Sequence, residues 1–224
     1  AYSLLTGNGG KQNQYYRISE YQPDMYYLPQ NRDGIFLLRF AHLTDSAEQL
    51  KQEGFSEKRL VEVAMLAQQW IPMISEVLGW EGFAEACYYF IAHMKEYGYD
   101  QKKAEIAQYT DIEPMDLSDG AFDMDWCKSI YQMLGEKRFA LIYKGAKFLC
   151  ENSFHTRARK YADAALGKMN TTDTVKIIAE KRNKDLLMAY AIIPIENEDD
   201  ICARYLYLQQ FLKESKKFGA QRSA

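Results

Sequence analysis

Apolar side chains along this chain recur at helical spacing, and the clearest such pattern runs from Phe55 to Met94. Two amphipathic stretches there flank residues 79–82, which read Gly-Trp-Glu-Gly. Glycine adopts the left-handed backbone that ends many helices, and a short turn between amphipathic segments is typical of antiparallel helices. We therefore predict a helical hairpin over this stretch, and similar patterns predict hairpins over 126–166 and 175–218.

Capping and breaking residues predict where the helices begin and end. Ser56 is a favourable N-cap for the helix that follows it, and Gly79 is the predicted left-handed end of that helix. Pro72 lies inside the same pattern and predicts a kink, because proline removes a backbone hydrogen bond. Gly135 separates two further helices, and Pro114 falls in a predicted acidic loop. The other predicted helices are 35–43, a short one after 45, 82–98, 102–109, 121–134, one opening at 136, 154–166 behind the cap Asn152-Ser153, 172–182, 184–193, and a last one behind the acidic residues 198–200.

The last helix has an apolar stripe that is regular for about five turns. Its members are Ile201, Tyr205, Leu208, Phe211, Leu212, Ser215 and Phe218.

The fold class follows from these patterns. Almost no segment alternates polar and apolar residues, so an extended sheet is not expected. Residues 1–33 are rich in tyrosine and glycine and lack a helical period, which predicts an irregular arm lying against the remainder. Residues 34–224 are the predicted helical domain. We predict an all-α protein whose antiparallel helix pairs stack either as an α-solenoid resembling HEAT repeats or as an irregular helical bundle.

Charge is distributed unevenly along the chain. The formal net charge of −3 gives no overall reason to expect nucleic acid or an anionic membrane as a partner. Residues 1–130, however, carry 11 Lys and Arg against 20 Asp and Glu, whereas residues 131–224 carry 17 against 11. This asymmetry fits either ordinary variation over solvated faces or a dipolar surface that docks another domain.

The four cysteines, Cys87, Cys127, Cys150 and Cys202, are far apart in sequence and lack the spacing of structural zinc sites. Free thiols in a reducing cytoplasm fit this pattern best. No apolar run is long enough for a membrane span, and the first residues do not resemble a signal peptide. The absence of an initial methionine and the nature of the last residues lead us to expect a piece of a longer protein.

Three motifs could suggest phosphate or metal binding, but a structural role explains each of them better. The sequence 7–11, Gly-Asn-Gly-Gly-Lys, lacks the Ser or Thr and the helix of a phosphate-binding loop, which favours a flexible turn. Five carboxylates between Glu113 and Asp125, among them Asp119 and Asp123 four residues apart, do not match a calcium loop and favour helix capping. His93 adjoins an apolar stripe and is interpreted as a satisfied, partly buried imidazole. No metal or cofactor is expected.

Two basic groups are candidates for binding anions or nucleic acid. The first lies at the start of a predicted helix, where free amides also favour anions, and consists of His155, Arg157, Arg159 and Lys160. The second lies near the end of the chain and consists of Lys213, Lys216 and Lys217. Solvated helix faces and an ordinary basic helix terminus are the competing interpretations. No catalytic motif is present, although triads built from distant residues are invisible in sequence.

Several strings resemble the MolR-like bacterial family of unknown function, called after a molybdate metabolism regulator. They cover roughly 34–222 and are LGWEGF at 78–83, YYFIAHM at 88–94, DGAFDMDW at 119–126, LGEKRF at 134–139, KRNKD at 181–185 and QQFLKESKKFGAQR at 209–222. The resemblance implies a segment of a larger multidomain cytosolic protein, some relatives of which carry a WGR domain linked with nucleic-acid-related proteins. It implies no catalytic residues.

Three functional hypotheses remain open at this point. The first is a non-enzymatic helical scaffold that binds another protein or other domains of its parent chain. The second is a nucleic-acid or phosphate-binding module using the two basic groups. The third is an enzyme whose active site is completed by regions outside this chain.

Overall fold

A computed structural model of the chain describes residues 15–16, 28–29, 47–52, 54–95, 102–150 and 153–217. The chain divides into two compact units, Ala1–Trp80 and Glu81–Ala224. The described residues are predominantly helical, which confirms the all-α prediction. Three predictions fall outside the described residues. They are the boundary after residue 33, the helix 35–43 and the glycine-rich turn 7–11.

In the part of the first unit that the structure describes there are a short strand pair and three α-helices. Strands β1 (Tyr15–Tyr16) and β2 (Leu28–Pro29) pair antiparallel, with Tyr16 opposite Leu28. The helices are α1 (Ala47–Gln52), α2 (Glu57–Leu66) and α3 (Ile71–Leu78), and a 3-10 turn (Gln68–Trp70) precedes α3. Helices α1 and α2 both pack against α3.

Local chemistry in this unit bears out two predicted caps and corrects the predicted kink. The Ser56 hydroxyl accepts a hydrogen bond from the Arg59 amide at 3.4 Å, and Gly79 ends α3 in the left-handed region at φ 60°. Pro72 does not kink a continuous helix. The chain leaves helical geometry at Ala67, with φ −126° and ψ 77°, and Pro72 then lies in the first turn of α3. Its missing N–H costs nothing there, because first-turn amides have no partner within the helix.

The second unit contains eight α-helices among its described residues. They are α4 (Phe83–Ala92), α5 (Lys103–Ile106), α6 (Pro114–Asp119), α7 (Met124–Gly145), α8 (His155–Ala165), α9 (Thr171–Lys181), α10 (Lys184–Ile192) and α11 (Glu198–Ser215). A 3-10 turn (Ala146–Phe148) follows α7. As predicted, Gly135 interrupts α7, with φ 70° and ψ 167°.

Three boundaries differ from the predictions. The segment predicted as an acidic loop forms α6, with Pro114 at its start. Helix α4 ends at Ala92, earlier than the predicted 98, and the carbonyls of His93 and Met94 that follow it accept hydrogen bonds from Arg157. Helix α8 begins at His155 without a side-chain cap, so Ser153 contributes only its carbonyl, which accepts from the Thr156 hydroxyl at 2.6 Å. Asn152 lies outside the described residues.

Helix packing in the second unit produces two apolar clusters that share Tyr161. In the first, α4 packs on α7 and α8, and Tyr89, Phe122 and Trp126 meet edge to face. In the second, α8 and α9 pack on α10, and Phe211 of α11 covers them. Tyr161 contacts Phe122 at 5.2 Å between ring centroids and belongs to the second cluster. Helix α8 therefore lies in the middle of this unit's core.

Candidate functional site

The first basic group does not converge on one surface, because Arg157 points into the core. Its side chain is only 4% exposed, and its guanidinium donates to three carbonyls. The acceptors are His93 (3.0 Å), Met94 and Leu117 (2.8 Å). The first two are carbonyls at the C-terminal end of α4, where helix groups lack partners of their own. Arg157 thus joins α8 to the ends of α4 and α6, and its burial does not fit a role in surface anion binding.

His155 and Arg159 lie one turn apart on α8, where Arg159 contacts Tyr143 of α7 and His155 contacts Cys150, which follows the 3-10 turn after α7. The Sγ of Cys150 is 3.8 Å from Nδ1 of His155, and both side chains are half-buried. Sequence reasoning found no Cys–His pair, although these two residues are only five positions apart in the chain. Such a pair can share a proton, which is the first requirement of thiol chemistry.

Arg159 belongs to a polar contact with Tyr143 and Asp163. The Tyr143 phenol donates to the Asp163 carboxylate at 2.6 Å, and the guanidinium of Arg159 lies 4.5 Å from the Tyr143 ring centroid. Burial and the hydrogen bond to Asp163 raise the pKa of Tyr143 above its ordinary value. These groups connect α7 to α8, and the guanidinium of Arg159, which is partly buried, lies over the Tyr143 ring.

The remaining predicted lysines are separated from this contact. Lys160 lies on a different side of α8, with its Nζ 3.9 Å from Asp185 of α10. Lys213, Lys216 and Lys217 are all exposed at the C-terminal end of α11. Their position beside the carbonyl end of that helix is favourable for any cation.

His93 is hydrogen-bonded within the core, as predicted, but it is fully buried and not partly buried as the sequence had indicated. Its Nδ1 lies 2.8 Å from the Tyr89 carbonyl, and its Nε2 accepts from the Asp123 amide at 3.3 Å. One ring nitrogen therefore donates and the other accepts, which defines a neutral imidazole. Burial lowers the pKa of His93 to about 4, so the ring stays uncharged at neutral pH.

The acidic stretch is used for capping, which agrees with its predicted role. Asp123 accepts from the Trp126 amide at 2.9 Å and starts α7, and it also accepts from the Thr110 hydroxyl at 2.7 Å. Asp119 ends α6 and Asp123 caps α7, so these two carboxylates do not lie on one helix. Within the described parts of the chain, no three His, Cys, Asp or Glu side chains are grouped to hold a metal ion.

Two further arginines have roles that sequence reasoning missed. Arg204 of α11 is buried and donates to the carboxylate of Asp200 and to carbonyls at the end of α10. Arg182 ends α9 in the left-handed region and donates to the Phe211 carbonyl (3.1 Å) and the Ser215 hydroxyl (2.7 Å). An arginine four residues after an aspartate in an otherwise apolar stretch was the available signal for Arg204.

These contacts determine which side of α11 is buried. Arg204, Phe211 and Ser215 face the core, so Phe211 and Ser215 of the predicted apolar stripe are buried. The members Ile201, Tyr205, Leu208 and Leu212 are centred about a fifth of a turn away from that buried side. Much of that stripe is therefore uncovered. Ile201 is 50% exposed, Tyr205 61% and Leu212 49%, and Leu208 is half-buried beside the core. We call Ile201, Tyr205, Leu208 and Leu212 the α11 stripe.

Charged residues flank the α11 stripe at both ends. Glu198 and Asp199 are exposed in the first turn of α11, and Lys213 and Lys216 are exposed in and just after its last turn. An exposed apolar surface with a polar border is the usual anatomy of a protein-binding surface. Among the surfaces formed by described residues, we therefore take the α11 stripe as the candidate functional site.

Among the described residues, no helix combines the length and the apolar character needed to cross a bilayer. Neither the curated proteins nor the solved structures contain a match to the chain. Residues 43–224, in contrast, match the profile of a family of unknown function, DUF5724, over most of the chain. The chain therefore belongs to the family of unknown function DUF5724.

Proposed function

We propose that this protein is a non-enzymatic helical scaffold that binds other proteins through the α11 stripe. The observation that carries the proposal is the exposure of Ile201, Tyr205 and Leu212 on a helix whose adjacent side is held against the core by Arg204 and Phe211. Large apolar side chains aligned along one side of an ordered helix fit the mode of recognition in which a helix binds a groove or another helix.

The roles of the buried polar groups support the same proposal. Arg157, Arg182 and Arg204 each hold the end of a neighbouring helix through carbonyl groups. His93 is neutral and bonded on both sides. Polar groups used in this way fix a packing arrangement and are not poised for chemistry. The HEAT-like stacking of helix pairs, the MolR-like affiliation and a cytoplasmic parent protein remain part of this proposal.

The experiment compares partners recovered with matched variants. Tagged wild-type protein, Leu212→Glu and Leu206→Glu would be purified from cells and their bound proteins quantified by mass spectrometry. Leu206 is 65% exposed on the same helix but lies more than a third of a turn from the stripe, so it is the control. We expect that proteins bound by the wild type are retained by Leu206→Glu and lost by Leu212→Glu. Equal recovery with both variants would contradict the proposal.

A second candidate function is supported by the exposed lysines at the end of α11. Lys213, Lys216 and Lys217 are close in sequence, exposed and able to contact phosphates. If they bind nucleic acid, affinity for single-stranded or double-stranded probes should fall steeply between low and near-physiological salt. Replacing all three by glutamine should abolish binding. Arg157 is buried, so it should not be needed for binding. No binding at low salt would eliminate this candidate.

A further inference from the structure

The α11 stripe has a self-complementary spacing. Its four members are separated by four, three and four residues, which is the spacing of a coiled-coil seam. The midpoint between Ile201 and Leu212 coincides with the midpoint between Tyr205 and Leu208, near the middle of α11. Two such helices placed antiparallel about a two-fold axis would therefore match Ile201 with Leu212 and Tyr205 with Leu208. A two-fold interface requires this property, because the same patch must fit itself.

Charge at the two ends of the helix has the same symmetry. Glu198 and Lys216 are separated by about five whole turns, so they lie on one side of the helix. Lys216 keeps helical backbone angles, with φ −61° and ψ −19°. Their midpoint lies within one residue of the midpoint of the stripe. An antiparallel pair therefore places Glu198 of each copy beside Lys216 of the other, whereas a parallel pair places like charges together.

We infer that the α11 stripe binds a second copy of this chain in an antiparallel, two-fold symmetric helix pair. The inference rests on the proposed function, since it identifies the protein that the stripe binds. The apolar contact involves four side chains per helix, which is small for a stable dimer. The dimer is accordingly a weak one that dissociates on dilution. A Glu198–Lys216 ion pair lies at each end of its interface.

The first experiment measures association of the purified chain over a concentration series by sedimentation velocity. Wild-type protein is expected to pass from monomer to dimer as concentration rises. Leu212→Glu and Tyr205→Glu should weaken association by about tenfold or more, because each places a carboxylate in an apolar seam. Leu206→Glu should leave it unchanged. Circular dichroism of each variant verifies that α11 and the remaining helices are intact.

Charge exchange tests the orientation of the helices. Glu198→Lys alone and Lys216→Glu alone should each weaken self-association, because each creates two like-charge contacts across the two-fold axis. The double variant Glu198→Lys/Lys216→Glu should restore it. An equimolar mixture of the two single variants should also associate, since one copy then carries both lysines and the other both glutamates. A parallel arrangement would not give recovery in the mixture and in the double variant together.

The outcomes separate this inference from the proposed function. A wild-type chain that stays monomeric at the highest attainable concentration overturns the dimer. If Leu212→Glu nevertheless loses cellular partners that Leu206→Glu keeps, the proposed function stands and the stripe binds a different protein. A dimer that is insensitive to Leu212→Glu and to the charge exchange also overturns the inference, because its interface lies elsewhere.

Discussion

Arg204 and Asp200 form a side-chain ion pair one turn apart on α11, with Nη2 of the arginine 2.6 Å from Oδ2 of the aspartate. The same guanidinium donates to the carbonyls of Tyr190, Ile193 and Pro194. These carbonyls lie at the C-terminal end of α10, where a positive charge is favourable. Arg204 therefore determines both the packing of α11 on α10 and which side of α11 faces solvent.

Replacing Arg204 by methionine is predicted to destabilise the second unit by about 2–4 kcal/mol, because several buried carbonyls lose their donor. Urea unfolding followed by circular dichroism measures this loss. Asp200→Asn is the matched control and should cost less, since Arg204 keeps its carbonyl acceptors. Equal losses in the two variants would contradict the dominant role of the carbonyl contacts.

Arg157→Lys is predicted to destabilise the protein by about 2 kcal/mol or more. Lysine concentrates its donors at one nitrogen and cannot reach three carbonyls spread over two helix ends. Arg159→Lys, one half-turn away on α8, is the control and should cost less, because Arg159 is only partly buried over the Tyr143 ring. An Arg157→Lys protein of unchanged unfolding free energy would contradict the structural role of this arginine.

The pH dependence of stability should contain a contribution from His93. Burial lowers its pKa from 6.5 to about 4 in the folded protein, so the unfolded chain binds a proton more readily between these values. The contribution of His93 to the free energy of unfolding is therefore fully present above pH 6.5 and is lost as the pH falls toward 4. The loss amounts to about 3 kcal/mol.

Urea unfolding of wild-type protein and of His93→Gln at several pH values isolates this contribution. The difference between the two unfolding free energies should shrink as pH falls from 6.5 to 4, because the variant has no proton to take up at this position. Parallel pH profiles of the two proteins would show that His93 titrates normally in the fold.

Much of the fold could be predicted because its determinants are local. Ser56 caps α2 through its own hydroxyl, Gly79 ends α3 through its own backbone freedom, and Gly135 breaks α7 in the same way. Pro72 was misplaced because a continuous apolar period does not reveal that the backbone is interrupted at Ala67. The helical period persists across such a break, so only the structure shows it.

The site could be predicted only in part, because exposure depends on contacts between distant segments. The stripe from Ile201 to Leu212 was evident from its spacing, but the sequence does not show that Arg204 turns a neighbouring side of the helix toward α10. Arg157 was grouped with surface cations for the same reason. Its acceptors, at His93 and Leu117, are far from it along the chain. Arginine is common on surfaces, and sequence alone does not identify carbonyls that would pair with a buried one.

Gly135→Ala is predicted to destabilise the protein by about 1–3 kcal/mol through backbone strain alone. The φ of 70° and ψ of 167° at this position are accessible almost only to glycine. Apart from its chain neighbours and the nearby backbone of its own helix, no atom lies within 4 Å of an added Cβ, so steric overlap with the rest of the fold does not contribute. Gln132→Ala, exposed on the same helix, is the control and should be nearly neutral in urea unfolding. A neutral Gly135→Ala would mean that the break in α7 relaxes into a continuous helix.

The four cysteines are predicted to react with iodoacetamide at very different rates. Cys202 is exposed on α11 and should be alkylated first, and half-buried Cys150 should follow. Cys87 and Cys127 are buried, and burial raises the pKa of Cys127 to about 11, so little reactive thiolate is available.

Peptide mapping by mass spectrometry at successive times gives these rates, and labelling in urea shows that all four thiols can react. His155→Gln is the informative variant, because the His155 imidazole lies 3.8 Å from the Cys150 sulfur. If the imidazole accepts the thiol proton, this substitution should slow alkylation of Cys150 and leave that of Cys202 unchanged. An unchanged Cys150 rate would show that the pair is a packing contact, and the pair would then give no support to the enzyme hypothesis.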